Sequence, residues 1–104
     1  MPLARPSEVW VVDLGMQAKV RPCVVLTEPP SDEELAVVSV VSHTSSVRGN
    51  RWELAIPKPF LAEGIFDVQR IATVPTVKLV RKLGTLSQTE FRLVLDRLAE
   101  RLGI

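Results

Sequence analysis

Two apolar runs joined by a short polar loop dominate the start of the chain: Glu8-Val9-Trp10-Val11-Val12-Asp13-Leu14-Gly15, then Lys19-Val20-Arg21-Pro22-Cys23-Val24-Val25-Leu26. Runs this short, rich in β-branched residues and bounded by turn formers, predict strands. Their weak alternation predicts that both faces are covered. Arg21 then stands at the mouth of the second strand, held by Pro22, where a rigid guanidinium suits an anion.

The rest of the chain extends this pattern. Residues 21–27 and 35–42 are rich in valine and leucine, and the acidic, proline-containing stretch 28–34 reads as the loop between them. In 51–56, Trp52, Leu54 and Ile56 alternate with Glu53 and Ala55, which predicts a half-exposed strand. Residues 65–74 read as one or two short strands limited by Pro75, and 79–86 as a last strand. Ser87-Gln88-Thr89-Glu90 is a capping box. Phe91, Val94, Leu95, Leu98 and Leu102 then share one helical face, and Gly103 ends the helix. The expectation is a mainly β fold with a C-terminal helix: an SH3-like small β-barrel, one domain over residues 1–104.

Composition narrows the chemistry. With one histidine and one cysteine, no spacing fits a zinc site or a disulfide framework. Cys23 lies inside an apolar run and reads as a buried, inert thiol. No glycine-rich phosphate loop and no G-x-S-x-G elbow occurs. A hydrolase built on this sequence would work without metal, nucleotide or other cofactor. No run is long enough to span a membrane and no leader precedes Glu8, so a cytoplasmic protein is expected. Net charge is only +1, but residues 70–104 carry seven basic and three acidic side chains, Arg70, Lys78, Arg81 and Lys82 among them. Such a local surplus can attract a polyanion.

The polar residues left over cluster at predicted strand ends. Lys19 and Arg21 open the second strand. His43, Thr44, Ser45 and Ser46 follow the third, just before Arg48. Asp67, Gln69 and Arg70 lie in the fifth region. If these ends meet, guanidinium, hydroxyl, imidazole, carboxylate and amide groups surround one point. Guanidinium and hydroxyl can bind the same phosphate oxygen, and fixed donors can stabilise the charge that grows on a phosphorane. Each residue also has a plain structural role open to it. Arg21 can pair with Asp13 or Glu53, Thr44 and Ser45 can cap a turn, and Trp10 and Trp52 can be core and barrel-rim residues.

These residues also carry a resemblance. The pattern Glu8-Val9-Trp10-Val11-Val12-Asp13-Leu14, then Val20-Arg21-Pro22, resembles the PemK/MazF family, the toxin halves of bacterial toxin–antitoxin pairs. His43-Thr44-Ser45, Phe66-Asp67-Val68-Gln69, Thr73-Val74 and Lys82-Leu83-Gly84-Thr85-Leu86-Ser87 support it in order, across residues 7–103. The resemblance implies an SH3-like barrel, a homodimer, a cognate antitoxin and operator DNA bound only as the toxin–antitoxin complex. It implies metal-independent cleavage of single-stranded RNA by 2′-hydroxyl attack, leaving a 2′,3′-cyclic phosphate and a 5′-hydroxyl. By that likeness Arg21 stabilises the phosphorane or assists proton transfer and Thr44 holds the scissile phosphate. His43 or Asp67 is the candidate proton acceptor, because arginine is a poor base. Lys19, Ser45, Ser46, Arg48, Gln69 and Arg70 are candidate RNA contacts.

Two departures stand out: the short loop Met16-Gln17-Ala18-Lys19 before Arg21, and Ala72 where many members carry an arginine. A gyrase poison of the same fold, or a decayed toxin that keeps only antitoxin or DNA binding, is the alternative.

Overall fold

The computed structural model describes residues 3–15 and 19–104; the loop residues Met16, Gln17 and Ala18 lie outside the described residues. In order, the elements are β1 (Glu8–Asp13), β2 (Val20–Val25), β3 (Val37–Thr44), β4 (Glu53–Leu54), β5 (Ile65–Pro75), a 3₁₀ turn (Thr76–Lys78), β6 (Leu79–Thr85) and α1 (Gln88–Leu102). The described strands form one antiparallel sheet in the order β4-β5-β3-β2-β1-β6. This is the expected mainly β fold with a terminal helix, although β4 and β6 remain edges and the barrel does not close. Register shifts in the β1–β6 and β3–β5 pairs break the ladder. Such bulges bend strands and increase twist, which curls the sheet.

Both faces of the sheet bury apolar side chains, which explains the weak alternation of the opening runs. Val9 and Val24 face each other and join Val41, Phe66 and Val68 under Val94 and Leu98 of α1. Trp10 and Cys23, the next pair along, turn to the other face with Val12, Val25, Val38, Val40 and Leu79. The Trp10 indole N–H donates to Glu8 Oε1 at 3.0 Å, and Lys82 Nζ lies 3.1 Å from Glu8 Oε2. Those bonds outweigh the desolvation of Glu8, so its carboxyl titrates below its ordinary value.

Three boundaries differ from the sequence reading. The third strand runs on through His43 and Thr44, so these residues belong to β3 itself. The fifth region is a single strand of 11 residues that includes Pro75. The strand expected over 51–56 shrinks to Glu53–Leu54. There, the Trp52 and Glu53 amides are held in a turn by the Asn50 side chain and carbonyl, and Pro57 follows closely. The Glu53 carboxylate accepts from the Arg48, Gly49 and Asn50 amides, which lowers its pKa from the ordinary value. Trp52 lies between Arg51 and Arg101, whose guanidinium carbons are 4.2 and 5.3 Å from its ring centre, and serves as a rim residue.

The helix forms as its capping box predicts. Ser87 Oγ accepts from the Glu90 amide at 3.1 Å, and Glu90 Oε1 accepts from the Ser87 amide at 2.8 Å. Gly103 ends it with φ 75°. Val94 and Leu98 are buried, while Leu102 reaches past the edge of the core and is exposed.

Candidate active site

Arg21 pairs with Val12 and Ser42 with Cys23, so register places Arg21 and Ser42 on the Trp10–Cys23 face of the sheet. Thr44, two residues beyond Ser42 on the same strand, shares that face. The Arg21 Nη1 donates to Thr44 Oγ1 at 3.4 Å, and the Ser46 amide donates to the same oxygen at 3.1 Å. A hydroxyl has two acceptor sites and one hydrogen to give. With both acceptor sites occupied, the buried Thr44 hydroxyl keeps one hydrogen to give.

The β3–β5 irregularity brings the fifth strand into the same place. Val40 faces Ala72 and Val41 faces Ile71, but His43 faces Phe66. One residue of β3, Ser42, therefore stands against residues 67–70 of β5, so three extra residues are accommodated in β5 between Phe66 and Ile71. An odd insertion reverses which side chains face which way. Phe66 and Val68 consequently lie under the helix, whereas Ala72 and Val74, of the same parity, lie on the Arg21 face. Asp67 opposes Glu53 and is turned away from the helix-side core. Its Oδ1 accepts from the Gln69 amide at 2.9 Å, and its Oδ2 is 3.6 Å from Arg70 Nε.

Arg21, Ser42, Arg70 and Ala72 line a cavity of about 180 Å³, closed at its sides by Leu14, Ile71 and Val74. Two guanidiniums and a hydroxyl thus border one small opening. Arg70 supplies a cation beside Ala72, two residues along the strand. Cys23, behind this site, is free and buried, and desolvation pushes its thiol up to about 12 against the opposing field of Arg21. It is the inert thiol expected from sequence.

His43 is not part of this group. Its register partner is Phe66, and its ring meets Phe66 edge-on with centroids 5.0 Å apart. It therefore faces the helix side, and burial lowers its pKa from 6.5. Lys19, Ser45, Ser46 and Arg48 are exposed near the strand ends and Gln69 is exposed within β5; Lys19 adopts φ 59° beside the loop. Arg21 meets Thr44 rather than Asp13 or Glu53 in these contacts: Asp13 accepts from Gly15, and Glu53 holds the 48–50 amides. Sequence reasoning missed Ser42, although its spacing of two from Thr44 on a strand was the signal. Among the described residues, no three His, Cys, Asp or Glu side chains gather as metal ligands, and no helix is long and apolar enough to cross a membrane.

Comparison with known proteins identifies the fold and the family. No curated protein sequence matches the chain. Among solved structures, it is similar to MazF from Deinococcus radiodurans, with a TM-score of 0.84 at 15% identity and both chains covered completely. It is also similar to that organism's MazE–MazF complex, with a TM-score of 0.83 at 14% identity over 100% of this chain and 99% of the other. An endoribonuclease in complex with its cognate antitoxin, from a mycobacterial species, superposes with a TM-score of 0.81 at 21% identity over 97% and 96% of the two chains. These likenesses establish the fold. Residues 5–102 match the family of PemK-like, MazF-like toxins of type II toxin–antitoxin systems, and the chain belongs to that family.

Proposed function

We propose that this toxin is a sequence-specific endoribonuclease that cuts single-stranded RNA without a metal ion, and that Arg21 and Thr44 are its catalytic residues. The carrying observation is the Thr44 hydroxyl, which accepts from Arg21 Nη1 and the Ser46 amide and has its hydrogen left to donate. A phosphodiester at this strand end receives that hydrogen bond and the charge of Arg21 together. When the adjacent ribose 2′-oxygen attacks phosphorus, the phosphorane gains negative charge. Arg21 and Arg70, on the wall of one cavity, stabilise that charge more than they stabilise the ground state. The P–O5′ bond then breaks and the departing 5′-oxygen takes a proton from solvent, giving a 2′,3′-cyclic phosphate and a 5′-hydroxyl.

Asp67 is the proton acceptor on the reacting face, and through Oδ2 it also positions Arg70. His43 has no part in the step because its ring lies on the opposite face. The chemistry needs only these side chains; no cofactor enters it. Lys19, Ser45, Ser46 and Arg48 near the strand ends and Gln69 within β5 contact the RNA backbone as it passes. Two protomers form the active toxin, and a cognate antitoxin blocks the groove; the resulting complex binds operator DNA. The solved MazE–MazF complex and the antitoxin-bound mycobacterial endoribonuclease support this partner.

The test is cleavage of a long single-stranded RNA in EDTA, with ends analysed for cyclic phosphate. The wild type cuts, and Arg21→Ala and Thr44→Ala each lose well over tenfold in rate. Wild-type rates in both variants remove the assignment.

A further inference from the structure

Behind Thr44 lies a second cavity, of about 530 Å³, walled by His43, Ile56, Pro57, Leu61, Gly64 and Ile65. Its size is that of a ligand pocket, and its walls are mainly apolar with a few polar groups among them. Those groups are His43, Lys58 and Glu63. Lys58 is tied to Glu90 at 2.9 Å, which anchors this wall to the cap of α1. Glu63 is exposed.

The His43 imidazole makes an edge contact with Phe66 and no hydrogen bond to a described residue. No fully buried side-chain nitrogen or oxygen lacks a partner among the described residues. His43, although only 5% exposed, lines the cavity, so its ring borders that space. Gly64 keeps the space next to that ring clear. A Cβ there would stand 2.3 Å from the Thr44 carbonyl oxygen and 2.8 Å from His43 Cε1.

We infer that this cavity is a nucleobase subsite, taking a base that flanks the scissile phosphate and reading it through His43 and Glu63. The inference rests on the ribonuclease reading of the Arg21–Thr44 site. A base has a flat aromatic body that suits apolar walls and an imidazole neighbour. Its edge offers donors and acceptors to an imidazole and a carboxylate. Single-stranded RNA can splay such a base out of its stack. Continuity with the reacting site comes from the chain: His43 and Thr44 are consecutive, so a nucleotide chain held by Thr44 needs only to turn around the Ser45–Ser46 strand end to deliver its neighbour. An acyclic apolar guest would leave the imidazole nitrogens and Glu63 without a use.

The experiment maps cleavage ends on a randomised single-stranded RNA with wild type, His43→Gln and Ala62→Phe, the last placing a ring at the cavity mouth. The expected result is at least a tenfold loss of discrimination at one position flanking the cut, with preferences at other positions kept. Unchanged preference at every position in both variants overturns the subsite while leaving the ribonuclease intact. Absence of cleavage by the wild type is the separate failure of the ribonuclease reading. In that case, and if Ala62→Phe does not fold, titration of the wild type with AMP, CMP, GMP and UMP decides the matter. Because His43 is the single histidine, its ring resonances need no assignment. A shift with at least one of the four nucleotides at millimolar concentration is expected, and no shift with any of them overturns the proposal.

Discussion

The two faces of the sheet at the end of β3 are built for opposite purposes. On the helix side, Phe66, Val68, Val41 and Val94 are wholly buried, and even the histidine is desolvated. On the other side, one residue away, two arginines and a serine border an opening to solvent, with Thr44 bonded to one arginine and Asp67 paired with the other. The helix side supplies cohesion and the other supplies directed hydrogen bonds and charge. Alternation along one strand lets consecutive residues serve both, which keeps the reactive groups rigid because their backbone is bonded into the core.

The most disruptive change to this division is Phe66→Ala. It removes a fully buried ring and should cost about 3–5 kcal/mol in unfolding free energy. Chemical denaturation checks it, and a loss under 1 kcal/mol would mean that the helix side is not the principal core. Arg21→Ala and Thr44→Ala should do the converse. Cleavage falls about 10²–10³-fold for loss of a charge-stabilising donor, while thermal stability stays near wild type. A large fall in melting temperature for either would show that the polar face also holds the fold together. Arg21→Lys should recover little, because an ammonium lacks the planar fork of donors.

Smaller effects separate the faces more finely. Ser87→Ala removes one half of the capping box and should cost about 1 kcal/mol, read as a shifted denaturation midpoint with unaltered cleavage by the folded protein. The smallest effect is on pH. Burial holds the folded His43 below 6.5, so the unfolded chain takes up the proton first. Stability is undiminished above 6.5 and declines as pH falls from there through the folded pKa. Glu53, Glu90 and Glu8, all lowered in the fold, add their own losses only below their ordinary value of 4.5. Melting curves across pH 7 to 5 should show the first decline in the wild type and not in His43→Gln.

What sequence revealed and what it hid follow from the same alternation. The opening hairpin and the capped helix were legible because their signals are local: β-branched runs around a polar loop, and Ser87 three residues before Glu90. The site was half legible. Arg21 and Thr44 stood out as polar residues at apolar strand ends, and register does bring them together. His43 was grouped with them because it is their neighbour in sequence, yet strand geometry turns neighbours apart. The β5 bulge was invisible. Phe66, Val68, Ala72 and Val74 keep an unbroken spacing of two or four while passing from one face to the other. Ala72 looked like a lost arginine for the same reason: only the folded strand shows Arg70 on the wall of the same cavity.

Gly64 carries a consequence for how such a protein can diversify. It touches the carbonyl of Thr44 and the ring of His43 at once, at separations that no side chain tolerates. The preceding stretch from Pro57 to Glu63 forms the second cavity's outer wall and is mostly exposed. The exposed positions of that stretch, Pro57, Pro59, Ala62 and Glu63, can therefore vary as long as the glycine remains, whereas Phe60 and Leu61 pack on the core and Lys58 holds Glu90. On the ribonuclease reading proposed above, such changes alter the proposed base subsite without touching Arg21 or Thr44.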